Sequence, residues 1–254
     1  MLLAVDAGNT NMKLGVFRGA ELLGQWRLAT DTTRTPEEYG REIARLFERA
    51  KLNVAEVEGI AIASVVPSLN ASLKSMLEGL FGLTPLFVDH TTETGLKTLY
   101  NPPSALGADR IVDAVAAVAK YGAPCIVVDF GTATTFNAIN AAGEFIGGAI
   151  SPGLMTCSEA LFARAAKLPR IEFARPEKAI GSSTVEAMQS GIYHGYVGLV
   201  DHVLEEMQAE MDGKPRIVAT GGLAPLIAPA SQYMDHVDET LTLEGLRLVY
   251  ELYM

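Results

Sequence analysis

Two stretches of this chain share one plan: Leu3-Ala4-Val5-Asp6-Ala7-Gly8-Asn9-Thr10 and Val127-Val128-Asp129-Phe130-Gly131-Thr132. Each runs from an apolar strand to an Asp at its end, with a Gly two residues later and a hydroxyl residue close behind. Further strands and then helices follow both stretches. The recurrence indicates an internal duplication of about 120 residues per unit. It predicts an N-terminal α/β domain over 1–120 and a C-terminal one over 121–254.

Hydrophobic patterns outside these turns predict alternating strands and helices in each half of the chain. In the first half we expect strands at 2–5, 13–17, 22–28, 59–66 and 85–88, and helices after Thr35, at 69–80 and at 108–121. In the second half we expect strands at 125–129, 135–140 and 216–219 and a helix at 185–211. The segment 147–153 is predicted as a glycine-rich turn. A last helix, 243–253, is expected to pack back on the first domain.

Composition narrows the class of protein. The 254 residues are 49% hydrophobic, and 20 basic against 30 acidic residues give a net charge of −10. This charge argues against nucleic acid as a partner, because such binding needs clustered Lys and Arg. Backbone N–H groups can still bind a small anion in an acidic protein. No apolar run approaches the roughly 20 residues of a membrane span, and the N-terminus lacks a basic region before its short apolar run. With two cysteines that have no metal spacing, Cys125 and Cys157, the sequence predicts a cytoplasmic protein with a small-molecule site and no membrane contact.

The first Asp-x-Gly turn carries groups suited to a phosphate and its metal. Gly8 lets the backbone approach an oxyanion, Thr10 and Asn11 add donors, Lys13 adds a positive charge and Asp6 suits a hydrated divalent cation. The alternative is an ordinary hairpin turn. The second copy favours the functional interpretation. The chain has neither a GxxxxGK[ST] loop nor a GxGxxG turn, so a P-loop or Rossmann site is not expected.

Asp109 and Arg110 open a predicted helix after the loop Tyr100-Asn101-Pro102-Pro103. An acid in the first turn of a helix often only stabilises the helix end. A carboxylate there could also accept a proton from a substrate hydroxyl while the arginine binds an anion. Two further turns stay equally open. Thr184 could be a simple N-cap of its helix, and Gly221-Gly222 could either turn the chain or lie against a base or ribose.

Five segments together resemble the type III pantothenate kinases: Asp6-Ala-Gly-Asn-Thr-Asn-Met-Lys13, Gly107-Ala-Asp-Arg110, Asp129-Phe-Gly-Thr132, Gly148-Ala-Ile-Ser-Pro-Gly153 and Thr220-Gly-Gly222. They occur in the family's order and spacing across nearly the whole chain. The resemblance implies an α/β protein of two duplicated ribonuclease H-like domains, the actin-like ATPase fold, with a central interdomain cleft that closes over ATP.

The resemblance also implies an activity and a set of residues. The reaction would be phosphorylation of pantothenate by ATP to 4′-phosphopantothenate, the first step of coenzyme A biosynthesis, with Asp109 as general base. Asp6 would face hydrated Mg²⁺, Asp129 would bind a monovalent cation (K⁺ or ammonium), and a homodimer would complete the site. The implied ATP-phosphate residues are Asp6, Ala7, Gly8, Asn9, Thr10, Asn11, Met12 and Lys13, with Thr132 from the other domain. The implied pantothenate residues are Tyr100, Gly107, Ala108, Asp109, Arg110 and Thr184. Ser182-Ser183 precedes Thr184 where many relatives have Asn-Thr, which weakens that last assignment.

Two other functions remain open on the sequence. One is a kinase of the same superfamily that acts on another small hydroxylated or carboxylated substrate. The other is a catalytically silent regulator, against which the presence of Asp6, Asp109 and Asp129 argues.

Overall fold

The structure, a computed structural model, describes residues 1–165 and 167–254. These residues form two compact units. The first contains 1–96, 100–116 and 240–254, and the second contains 97–99 and 117–239. The domain boundary at residue 120 stays a prediction.

The first unit is built on a five-stranded sheet with the order β3-β2-β1-β4-β5. Its strands are β1 (Leu2–Ala7), β2 (Asn11–Arg18), β3 (Glu21–Ala29), β4 (Gly59–Ser64) and β5 (Leu86–Phe87). Its helices are α1 (Pro36–Arg49), α2 (Pro67–Phe81), α3 (Ala108–Tyr121, in this unit up to Ala116) and α7 (Leu241–Tyr253), with 3₁₀ turns at Val54–Glu56 and Pro103–Ala105. The strands β1 and β2 are antiparallel, whereas β1, β4 and β5 are parallel.

The second unit repeats this plan in a five-stranded sheet with the order β8-β7-β6-β9-β10. Its strands are β6 (Cys125–Phe130), β7 (Ala133–Ile139), β8 (Phe145–Pro152), β9 (Arg216–Thr220) and β10 (His236–Val237). Its helices are α4 (Leu154–Arg164), α5 (Thr184–Glu210) and α6 (Ala224–Ile227), with a 3₁₀ turn at Ala228–Ala230. Here too a meander of three antiparallel strands continues into parallel strands. The predicted α/β duplication is confirmed.

Each unit has its own apolar core, which follows from the apolar strands seen in the sequence. In the first unit, buried residues of the sheet such as Leu3 and Ile62 pack with Ile43 and Leu73 of α1 and α2. In the second, one face of the sheet packs with α5 and α6. Cys125 is buried, and burial raises the pKa of its thiol to about 12, so it is a packing residue as predicted.

Local signals explain two of the helix ends. Thr35 and Glu38 form the capping box that starts α1, and α2 ends at Gly82 in the left-handed conformation. The predicted turn at 147–153 is wrong over most of its length. These residues belong to strand β8, whose backbone pairs with β7 from Gly147 to Pro152 and again, after a register shift, at Phe145. Within the described residues, no helix is long and apolar enough to span a bilayer.

Candidate active site

The turn between β1 and β2 lies at the carboxyl end of β1. The N–H of Gly8 donates to the carbonyl of Asn11 at 3.0 Å, which closes the turn. The hydroxyl of Thr30, at the end of β3, donates to the carbonyl of Gly8 at 2.6 Å. Thr30 was missed by sequence reasoning because its partner lies 22 residues away. The turn is thereby held in one shape before any ligand arrives.

Asp6 is the acidic residue of this turn, and it is paired with Lys13. The two residues are opposite each other on β1 and β2, and Lys13 Nζ lies 3.5 Å from Asp6 Oδ2. Asp6 is only 9% exposed. Burial raises the pKa of Asp6 to about 6; Lys13 opposes this shift, and the nearby charge of Asp109 adds to it. The carboxylate is therefore costly to ionise in the absence of a cation.

The other predicted phosphate-binding residues divide by exposure. The side chains of Ala7 and Met12 are fully buried, so these two residues can meet a ligand only through the backbone. Asn9 and Thr10 are exposed at the tip, and Gly8 and Asn11 are half-buried. The run from Asp6 to Lys13 thus presents backbone and polar groups on one exposed turn.

Asp109 and Arg110 lie in the first turn of α3, as predicted. The N–H of Arg110 donates to Asp109 Oδ1 at 2.8 Å. A Cβ on Gly107 would lie 2.5 Å from the same oxygen, so the glycine makes room for the carboxylate. Burial raises the pKa of Asp109, and the charge of Asp109 is felt at Asp6. Two carboxyl groups with raised pKa values therefore lie close together in the first unit.

Arg110 is brought to Tyr100, as the predicted substrate set requires. Arg110 is 6% exposed, and its guanidinium lies over the Tyr100 ring, 5.2 Å from the ring centroid. Stacking of this kind fixes the plane of an arginine. The loop 100–107 and the start of α3 thus bring together the Asp109 carboxylate, the Arg110 guanidinium and the Tyr100 ring.

The second Asp-x-Gly turn joins β6 to β7 and is held from behind by the start of α4. The carbonyl of Thr132 accepts hydrogen bonds from the N–H of Gly153 at 3.1 Å and from the Thr156 hydroxyl at 2.8 Å. A Cβ on Gly153 would lie 2.5 Å from the carbonyl oxygens of Gly131 and Thr132, so only glycine fits there. Thr156 was missed because α4 was not predicted. Thr132 itself is exposed at the turn.

Asp129 is the second-last residue of β6 and lies beside the glycine turn that follows β9. Asp129 is opposite Thr220 in the parallel pair, and a Cβ on Gly221 would lie 2.4 Å from Asp129 Oδ1. Gly221 has φ +90°, a conformation that favours glycine. The backbone of the Gly-Gly turn thereby packs directly on the carboxylate.

Thr184 is the first residue of α5 and is exposed. Ser183 is the N-cap, since its side chain accepts a hydrogen bond from the Glu186 N–H. The capping alternative for Thr184 is therefore wrong, because the residue before it already fills that role. Among residues 1–165 and 167–254, no group of three or more His, Cys, Asp or Glu side chains is arranged to hold a metal.

Comparison with solved structures defines the class. A protein from Campylobacter jejuni assigned to the Baf family of transcriptional activators has a TM-score of 0.60 at 19% identity, covering 99% of this chain and 98% of that one. The ethanolamine utilization protein EutJ from Carboxydothermus hydrogenoformans has a TM-score of 0.59 at 16% identity, covering 97% and 89%. Identities this low carry the fold alone. The fold is that of the actin-like ATPases and sugar kinases, two ribonuclease H-like α/β units.

Sequence comparison then gives the family. The family model described as type III pantothenate kinase matches residues 2–206. A type III pantothenate kinase of Geobacter sulfurreducens is 51% identical over 251 residues, 99% of this chain and 98% of that one. The chain belongs to the type III pantothenate kinase family. It is a phosphotransferase that uses ATP to phosphorylate pantothenate in coenzyme A biosynthesis.

Proposed function

We propose that Asp109 is the general base that takes the proton from the primary hydroxyl of pantothenate while that oxygen attacks the γ-phosphorus of ATP. The observation that carries this proposal is the buried carboxylate at the start of α3, with its raised pKa and its Oδ1 held by the Arg110 N–H at 2.8 Å. A carboxylate whose pKa is raised toward the working pH is a better proton acceptor. ADP leaves with the electron pair of the broken P–O bond, and the products are ADP and 4′-phosphopantothenate.

We propose that pantothenate is held by Tyr100, by the backbone and side chains of 107–110, and by Thr184. Arg110 is positioned to receive an anionic group, because its stacking on Tyr100 fixes the guanidinium plane. Positioning is the main requirement here, since phosphoryl transfer has a loose transition state with little covalent chemistry for the protein.

The ATP phosphates are proposed to lie on the two Asp-x-Gly turns. In the first turn, residues 6–13 offer backbone N–H groups and the Lys13 ammonium. In the second turn, Thr132 offers its hydroxyl, and the hydrogen bonds from Gly153 and Thr156 to its carbonyl hold it in place. Preformed turns of this kind lose little entropy when the nucleotide binds.

Two cations fit this site. Mg²⁺ would neutralise charge on the phosphoryl oxygens, and Asp6 would hold its water shell. The fit is supported by the raised pKa of buried Asp6, because a nearby cation would stabilise the ionised form. For the monovalent cation, K⁺ or ammonium, we propose Asp129, whose carboxylate is closely approached by Gly221.

A homodimer is proposed because the second unit exposes a group of large apolar side chains. Large apolar side chains left exposed on a folded protein are candidates for an interface. The members are Ile146, Ile150, Met155, Leu161, Phe162, Ile180 and Val185. Sedimentation at assay concentration should give twice the chain mass of 27.1 kDa. A monomer would contradict this proposal.

The reaction is proposed to occur in the cytoplasm, without nucleic acid or membrane as a partner. The two cysteines are unpaired thiols, as is usual in a reducing compartment, and the net charge of −10 disfavours nucleic acid.

Asp109→Asn tests the general base. We expect kcat to fall by at least about 10³-fold, while the Kd of ATP, measured by calorimetry, stays within about threefold, because the variant loses the proton acceptor and no phosphate ligand. Asp212→Asn, which removes an exposed carboxylate in the second unit, is the matched control and should keep wild-type turnover. Wild-type turnover of Asp109→Asn would remove Asp109 from this role.

A further inference from the structure

One face of the second sheet carries polar side chains in neighbouring positions. Asp129 is opposite Thr220 on β9 and opposite Thr135 on β7, and Val127 is opposite Asn137. Residues directly opposite each other in a sheet point to the same face, and alternate residues of a strand share a face. Asp129, Thr220, Thr135 and Asn137 therefore share one face.

The apolar core of this unit lies on the other face of the same sheet. Ile126, Val128 and Phe130 of β6 belong to that core, as do Ile217 and Ala219 of β9. Polar side chains in the middle of a sheet are costly to bury unless something satisfies them. The buried polar side chains on this face of β6, β7 and β9 are therefore expected to bind a ligand or to form a hydrogen-bond network.

Thr220 makes the need for a ligand specific. It is 0% exposed, and in the part of the chain that the structure describes its Oγ1 has no hydrogen-bond partner. A threonine hydroxyl both donates and accepts, so a buried one nearly always finds a partner. Asn137 is equally buried, and its side-chain amide donates a hydrogen bond to the Thr135 hydroxyl at 3.3 Å. This hydrogen bond does not involve the Thr220 hydroxyl.

The chemistry of the group suits a cation of low charge. It offers one carboxylate together with neutral hydroxyl oxygens, whereas protein sites for Ca²⁺ usually gather several carboxylates. Neutral oxygens that replace water around the ion are the usual means of holding K⁺. Gly221 adds to the enclosure, because its missing side chain lets the backbone approach Asp129 Oδ1.

We propose that the Thr220 hydroxyl is a direct ligand of the monovalent cation, beside the Asp129 carboxylate. This inference rests on the proposed cation site at Asp129 and adds a neutral ligand to it. The cation accepts a lone pair of Thr220 Oγ1 and so satisfies the buried hydroxyl. Asp129 near the end of β6 and Thr220 at the end of β9, which are paired in the sheet, then form the two sides of one ion site.

The test is a K⁺ titration of the nucleotide-free protein in which the midpoint of thermal unfolding is measured at each K⁺ concentration. Ionic strength is held constant with tetramethylammonium chloride, so that only specific binding raises the midpoint. We expect K⁺ to stabilise the wild type and Thr220→Ser. In Thr220→Val the half-saturating K⁺ concentration should rise at least tenfold, and Thr220→Ala gives the same comparison should the valine variant not fold. Without K⁺, Thr220→Val should be as stable as the wild type or more so, because it loses a buried hydroxyl that has no partner.

Thr134→Val is the matched control. Thr134 is a buried threonine of the same sheet whose hydroxyl is hydrogen-bonded to Tyr196 on the other face. This variant should melt earlier at every K⁺ concentration and keep the wild-type half-saturation. A simple loss of packing at Thr220 would produce the same pattern as the control.

The outcomes separate the inference from the site on which it rests. If Thr220→Val keeps the wild-type half-saturating K⁺ concentration and Asp129→Asn abolishes the K⁺ response, the cation site at Asp129 stands and the inference about Thr220 is overturned. An unchanged K⁺ response with weaker ATP binding would also overturn it, since the hydroxyl would then face the nucleotide. No K⁺ response in the wild type would refute the cation site at Asp129 together with its Thr220 ligand.

Discussion

Burial and charge oppose each other at Asp6. The residue is 9% exposed, and Lys13 at 3.5 Å compensates only part of the cost of ionisation. Asp109, whose pKa is also raised by burial, adds repulsion. The first unit therefore holds two carboxyl groups whose pKa values are both raised by burial. Bound cations and substrate would supply the charge that this site lacks.

Asp6→Asn should show this conflict as a pH-dependent change of stability. The pKa of Asp6 is about 6 in the folded protein, against 3.8 for the unperturbed group. Because the folded state binds this proton more tightly, the contribution of Asp6 to stability is full below pH 4 and is lost as the pH rises through 6. Relative to pH 4, Asp6→Asn should gain on the order of 2–3 kcal/mol over the wild type by pH 7.5. Urea denaturation of the nucleotide-free proteins across that range measures the difference.

Asp31→Asn is the control for this measurement. Hydrogen bonds from Thr33 lower the pKa of Asp31, which is the opposite direction. The stability lost in Asp31→Asn should therefore grow as the pH rises through the usual range of an aspartate and stay constant above it, so it should not change between about pH 5 and pH 7.5, where the effect of Asp6→Asn changes most. A pH-independent difference between Asp6→Asn and the wild type would show that Asp6 ionises in the folded protein as it does in the unfolded chain.

At the scale of elements, the C-terminal helix α7 packs closely on the first sheet and on α3. A Cβ on Gly245 would lie 2.0 Å from the carbonyl oxygen of Val112, and one on Gly59 would lie 2.0 Å from the Tyr250 hydroxyl. Backbone on one side of each contact leaves no room for a side chain. This packing holds α3, the helix that carries Asp109, against the rest of the first unit.

Gly245→Ala should therefore destabilise the protein by about 1–3 kcal/mol, because the added methyl group must push α7 away from the Val112 carbonyl. Gly79→Ala is the matched helical control. Gly79 is exposed in α2 with nothing near its Cβ position, so alanine there should stabilise by up to about 1 kcal/mol. Equal effects of the two substitutions on the free energy of unfolding would contradict the close packing of α7.

The elements that the sequence predicted are those with strong local signals. The apolar strand Leu2–Ala7 is followed by a glycine turn, and Thr35 with Glu38 forms a capping box that predicts the start of α1. Helix α4 (Leu154–Arg164) has no side-chain cap that would mark its start, and the glycines of β8 predict a turn where the structure has a strand. Both depend on pairing and packing with residues distant in the sequence, which local patterns do not reveal.

The same holds for the candidate site. Asp6, Asp109 and Asp129 stand out in the sequence because each follows or begins an apolar element at a glycine turn. The roles of three threonines are visible only from contacts or strand pairing with residues distant in the sequence. They are Thr30, Thr156 and Thr220. Their residue types are common, and nothing beside them in the chain marks them.

At the scale of the molecule, two units with the same strand order place an acidic turn at the corresponding strand end of each sheet. Asp6 and Asp129 are the second-last residues of β1 and β6, and each is followed by a closed glycine turn. Duplication therefore provided two turns of the same design, which are the proposed phosphate sites. The two copies have since diverged, since Lys13 pairs with Asp6 whereas Thr135 is opposite Asp129. This difference is what separates the proposed Mg²⁺ and K⁺ roles.

The central claim is phosphoryl transfer from ATP to the primary hydroxyl of pantothenate. Its most direct test is ³¹P NMR of purified protein incubated with ATP, pantothenate, Mg²⁺ and K⁺, with the analogue that lacks the primary hydroxyl as control. The account predicts a new phosphomonoester signal, equal in amount to the ADP formed and absent with the analogue. ADP without the phosphomonoester, or no consumption of ATP, would contradict it.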